Sequence, residues 1–120
     1  MEKELIKLIF PEGLLDFFKV VQWEKKESEY VFYLDEMNIV PSGFKKESLT
    51  SKGFYNEESI NDFPLRGNKC ILKLRRRKWI EKASGKIVNR DWSIVANGTR
   101  ITEEFAFFLK ELNRYYTSKQ

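Results

Sequence analysis

The sequence predicts an α+β domain: antiparallel β-hairpins flanked by short N-terminal helices and a C-terminal amphipathic helix. Three observations predict it. Apolar residues recur at helical spacing near both ends, they alternate with polar residues through the middle, and Pro, Gly and Ser clusters punctuate the alternating runs. With 120 residues, of which 42% are hydrophobic and 15% aromatic, the chain is expected to form a single domain over 1–120 with its own core.

Residues 3–10 and 12–18 read as two short helical pieces parted by Pro11, the second carrying Leu14, Phe17, Phe18 and Val21 as a core stripe. Val20 to Trp23 and Tyr30 to Leu34 are β-rich runs, and the polar Glu24 to Glu29 between them reads as the turn of an antiparallel hairpin, with Trp23 in the core. Asp35 to Lys52 lacks periodicity and holds Pro41 and Ser42-Gly43, so it reads as a connection toward a second layer. Gly53-Phe54-Tyr55 opens a further extended segment, and Asp62 to Asn68 has the Pro and Gly of a tight turn.

The next strand is the most informative part of the chain. In Lys69 to Trp79, side chains two apart share a face, so Cys70, Leu72 and Leu74 point to the core while Lys73, Arg75 and Arg77 point away. Arg76 and Lys78 would then follow Leu74 onto the inner face, where an unpaired charge is too costly, so the strand is expected to bulge or leave the core and to project a cationic tip. It turns at Ala83 to Lys86 and returns over Ile87 to Val95, bringing Trp79 near Trp92. Thr102 is a suitable N-cap, Glu103 and Glu104 suit the first turn, and Phe105, Phe108, Leu109, Leu112 and Tyr115 or Tyr116 follow at helical spacing.

Charge is distributed unevenly. Residues 66–90 hold ten Lys or Arg against one acidic residue, Glu81, and so carry +9; the rest of the chain, with twelve cations and seventeen carboxylates, carries −5. A basic block on an acidic frame points to a polyanion-binding surface. The bland alternative is a solvated hairpin edge whose cations discourage aggregation. Four consecutive cations, Arg75, Arg76, Arg77 and Lys78, exceed what edge protection needs, and guanidinium forks suit phosphates. The expected contacts are Lys69, Lys73, Arg75, Arg76, Arg77, Lys78, Trp79, Lys82, Lys86 and Arg90, with Trp79 either packing across the hairpin or stacking on an unpaired base.

Histidine is absent and Cys70 is the single cysteine, which leaves no ligand set for structural zinc and removes Ser-His and Cys-His nucleophile pairs. The acidic residues Asp16, Asp35, Glu36, Glu57, Glu58 and Asp62 are scattered, and no Gly-rich loop precedes a helix. The expectation is therefore a protein without enzymatic activity, cofactor or metal. The lone thiol leaves a homodimer as the minor alternative to a monomer. The N-terminal apolar run is broken by Lys7 and Pro11 and lacks a cleavage site, and no apolar stretch reaches the roughly 20 residues of a membrane span. A cytoplasmic location without membrane contact is expected.

Several strings occur together: Pro11 to Phe18, Ser51 to Tyr55, Asp62-Phe63-Pro64-Leu65-Arg66-Gly67, Leu72 to Trp79, Gly85 to Trp92 and Gly98 to Phe105. The combination, covering most of the chain, resembles the N-terminal region of a group of bacterial insertion-sequence transposases, in which this region is encoded as a short separate protein ahead of the catalytic part. A broader relative is the transposase N-terminal zinc ribbon, from which this sequence departs: Ile80 to Lys86 stands where cysteines are expected. The resemblance implies a non-catalytic module that recognises the element's terminal double-stranded DNA, with cleavage supplied by a catalytic transposase polypeptide as partner. Two other readings stay open: a protein-interaction module that docks that polypeptide, and a single-stranded RNA- or DNA-binding protein.

Overall fold

The structure, a computed structural model, describes residues 8–10 and 13–90 together with Phe107 and Lys110. Over these residues the chain is mostly β. Seven strands run in the order β1 (Phe18–Lys25), β2 (Glu29–Glu36), β3 (Leu49–Phe54), β4 (Glu58–Leu65), β5 (Asn68–Arg75), β6 (Arg77–Glu81) and β7 (Ile87–Val88), with single 3-10 turns at Leu14–Asp16 and Lys46–Ser48. They form a four-stranded sheet, ordered β1-β2-β5-β4, and a three-stranded sheet, ordered β3-β6-β7.

The flanking helices are only partly present among the described residues. Of the helix expected over 3–10, Leu8 and Ile9 are helical; the expected helix over 12–18 reduces to the Leu14–Asp16 turn, after which Phe18 opens β1. Leu14 and Phe18 are buried as the stripe requires, but Val21 is exposed. The reason is β-propensity: Phe18 to Trp23 is rich in aromatic and β-branched residues, and pairing with β2 satisfies it. Val21 occupies a register shift between Val20 and Gln22, which turns it outward. Trp23, expected in the core, is 46% exposed because β1 is an edge strand. Of the C-terminal helix, Phe107 and Lys110 are helical; Thr102, its flanking acids and the other apolar positions lie outside the described residues, as do Trp92 and the return strand beyond Arg90.

The β1–β2 hairpin forms where alternation places it, and β4 and β5 form a second. The turn of that second hairpin is Arg66-Gly67, between the paired Leu65 and Asn68, and both turn residues have positive φ, 50° and 79°. This is the two-residue loop whose twist matches the strands, and glycine carries the second position without strain. Asp62 to Leu65, expected in the turn, belongs to β4 instead. Pro64 is accommodated because the ladder shifts register between Asp62 and Leu65, where a missing N–H breaks no regular bond.

The two hairpins join through β2 and β5, which run parallel, with Tyr30 opposite Cys70 and Leu34 opposite Leu74. An all-antiparallel sheet was the expectation; side-by-side packing of two hairpins by their apolar strands gives a parallel seam. Phe10, Leu14, Phe18, Phe32, Leu34, Ile60, Cys70, Leu72 and Leu74 form one buried cluster on the inner face, and Phe10 meets Phe32 edge to face at 4.9 Å. The inward placement of Cys70, Leu72 and Leu74 agrees with alternation.

The run from Lys69 to Trp79 breaks at Arg76, where alternation predicts a bulge or a departure from the core. The chain leaves the large sheet at Arg75 and enters the small one at Arg77, so one apolar and basic run supplies a strand to each sheet. β6 then pairs with β3 on one side and β7 on the other. The turn at 82–85 agrees with the predicted return, but Trp79 stands opposite Val88.

Candidate polyanion-binding surface

Inner-face alternation continues past the apolar core into charge. Along β2 the face reads Tyr30, Phe32, Leu34, Glu36; along β5 it reads Cys70, Leu72, Leu74 and then Arg76; Glu58 lies opposite Leu74 on β4. Glu36, Glu58 and Arg76 are thus delivered to the end of the core where the second sheet takes over, and all three are buried. The Arg76 Nη2 donates to Glu58 Oε1 at 2.7 Å. Burial of Arg76, which unpaired charge would forbid, is permitted by this carboxylate, so the arginine does not project.

Glu36 is a hub. Its Oε1 accepts the Arg77 backbone N–H at 3.2 Å, and its Oε2 accepts the Trp79 Nε1–H at 3.3 Å and the Arg90 Nε–H at 3.4 Å. Arg77 also donates from Nε to the Glu36 carbonyl oxygen and from Nη1 to Ser51 Oγ, both at 2.8 Å, and Arg90 Nη2 donates to the Ile39 carbonyl oxygen. Arg75 makes a bidentate pair with Asp35, both bonds at 2.6 Å; this carboxylate raises the Arg75 pKa above its ordinary value. Lys73 lies 3.9 Å from Glu57.

Two aromatic rings organise the same run by parity. Phe54 receives the guanidinium groups of Arg75 and Arg77, at 4.3 and 4.8 Å from its centroid, and Tyr55 receives Arg76 and Lys78, at 5.4 and 5.3 Å. Consecutive cations on an extended chain point alternately to two sides, and adjacent aromatics in Gly53-Phe54-Tyr55 meet both sides. The Tyr55 hydroxyl donates to Asn89 Oδ1 at 2.7 Å.

The ten residues expected to contact nucleic acid therefore separate into two groups. Arg75, Arg76, Arg77, Arg90 and Lys73 are engaged by Asp35, Glu36, Glu58 and Glu57, and Trp79, 1% exposed, presents no ring face for stacking. Lys78, Lys82, Lys86 and Lys69 have no ion pair among the described residues. Lys69 stands apart at the start of β5, where its N–H donates to the Ser28 carbonyl oxygen.

Sequence reading missed three lysines that join this second group. Lys82 N–H donates to the Ser48 carbonyl oxygen and Ser48 N–H to that of Lys45, so the Lys45–Ser48 turn abuts the β6–β7 turn. Glu81 N–H donates to the Lys86 carbonyl oxygen, closing that turn. Lys45, Lys46, Lys82 and Lys86 are exposed around this end of the small sheet, with Glu47 and Glu81 among them. Lys52 and Gly53 stand opposite Lys78, between the pairs Ser51–Trp79 and Phe54–Arg77. The missed signal is a lysine pair, Lys45-Lys46, which precedes the basic block of residues 66–90 in the sequence, and only the β3–β6 register brings them together.

Among the described residues no helix is long and apolar enough to cross a membrane. Compared with protein-family models, curated proteins and solved structures, the chain matches none.

Proposed function

We propose that the chain is a non-catalytic DNA-binding module of an insertion-sequence transposase, the function its sequence resemblance implies, and that lysines of the small sheet hold the phosphates. The observation that carries this reading is the exposed group Lys45, Lys46, Lys82 and Lys86, without an ion pair among the described residues, gathered from two turns onto one end of β3–β6–β7. An exposed lysine that neutralises a phosphate releases the cation condensed on the nucleic acid there, and that release drives binding. Arginines already bound to carboxylates have less to offer a phosphate.

A labelled duplex titrated at several salt concentrations tests the reading. Replacing Lys45, Lys46, Lys82 and Lys86 together by Ala should weaken binding and reduce the slope of log K against log salt by roughly 3 to 4, at about 0.9 per phosphate contact. An unchanged affinity and slope would refute the assignment. A second reading, docking of the catalytic polypeptide, is favoured by the exposed Val21 and Trp23 on edge strand β1, an edge where another chain can add a strand. Absence of duplex binding at low salt, with β1 protected by the catalytic polypeptide, would select it.

A further inference from the structure

Beside the lysine group lies a cleft of about 600 Å³, bounded by Asn38, Ile39, Phe44, Lys46 and Thr50, with Trp79 at its floor. That volume falls within the range of sites that enclose a small organic group. Phe44 and Ile39 are 36% and 45% exposed, so the cleft offers an accessible ring and an aliphatic wall. The side chains of Asn38, Thr50 and Lys46 make no hydrogen bond or ion pair among the described residues. An amide, a hydroxyl and an ammonium are thus available along an apolar wall, and Lys45 and Lys82 stand at the same turn.

The combination is selective about what it suits. A purely apolar partner would leave the amide, hydroxyl and ammonium desolvated and unpaired. A small anion would make no use of Phe44 and Ile39. A nucleotide unit matches all of it: a flat base for the ring, edge groups for Asn38 and Thr50, and a phosphate for Lys46. We infer that this cleft receives a single unpaired base from DNA held by the surrounding lysines. The inference rests on the DNA-binding reading and adds to it a preference for sites where one base is out of the stack, as at a bulge or a strand end.

The test uses the full chain and three labelled duplexes: fully paired, with a one-nucleotide bulge, and with the same bulge made abasic. The base-containing bulge should bind about tenfold more tightly than the abasic one, the scale of one base–aromatic stack. Phe44→Ala and Asn38→Ala should remove that difference while leaving paired-duplex affinity unchanged, and Asn38→Ala, at an exposed polar side chain, should leave the thermal unfolding curve unchanged as well. Lys46→Ala should weaken all three complexes. Equal affinity for the two bulges, with duplex binding intact, would overturn the inference and leave the DNA-binding reading standing; no binding to any duplex would remove both. If instead the wild type sediments as a dimer and Phe44→Ala as a monomer, the cleft holds a second copy and the inference fails.

Discussion

The arginines of the β5–β6 junction and the lysines of the small-sheet turns are close in charge count and opposite in use. Arg75, Arg76, Arg77 and Arg90 are each fixed by a carboxylate or carbonyl from another strand or loop. Lys45, Lys46, Lys82 and Lys86 have no such partner among the described residues. A guanidinium with a planar fork of donors can satisfy two acceptors at once and tolerates burial; an ammonium on a flexible stem is held by water. Charge counted along a sequence is therefore not charge available to a ligand.

The largest effect that would break this contrast is at Glu36. Removing it leaves Arg90, the Trp79 indole and the Arg77 amide without their shared acceptor, so Glu36→Ala should cost about 3–5 kcal/mol in urea unfolding, as loss of one side of a buried ion pair does. Glu36→Gln, which keeps an acceptor oxygen, should cost less. A urea midpoint equal to wild type for Glu36→Ala would show that the arginine seam does not hold the sheets together.

Asp35 sharpens the contrast from the other side. Its pair with Arg75 is partly exposed, so Asp35→Asn should change stability by less than about 1 kcal/mol. The released guanidinium lies on the outer face, and duplex affinity should rise modestly at low salt. A fall in affinity would mean that Asp35 orients Arg75 toward DNA.

An effect that is absent at neutral pH belongs to Cys70, whose thiol burial pushes from 9.0 up to about 11, with Asp62 adding to it. The folded chain keeps this proton to higher pH than the unfolded chain, so the stabilising difference is complete below pH 9 and is lost as pH rises toward about 11. Urea midpoints across that range should fall for the wild type, and Cys70→Ala should fall less. Identical pH profiles for the two would contradict the shift.

Much of the fold was legible where periodicity is strong. Cys70, Leu72 and Leu74 alternate into the core, and the β1–β2 hairpin follows from two β-rich runs around a charged turn. β4 was not legible: Glu58 to Leu65 is polar except for Ile60, Phe63 and Leu65, and contains a proline, so its strand character comes from pairing with β5 rather than from its own pattern. The change of sheets at Arg76 was half legible. Alternation shows that Arg76 faces inward, but the carboxylate that receives it is on β4, eighteen residues away. At the candidate site the basic block was visible and its neutralisation was not, because Asp35 and Glu36 reach it only through the parallel β2–β5 register.

That register also sets an order of events in time. Each hairpin closes over a turn of a few residues, whereas Asp35 must find Arg75 across forty positions of chain. Closing so long a loop is the slow entropic step, so the two hairpins should form early and their docking should limit the rate. In a stopped-flow chevron, Leu34→Ala and Leu72→Ala should then slow refolding, while Trp79→Phe, on the later sheet, should mainly hasten unfolding.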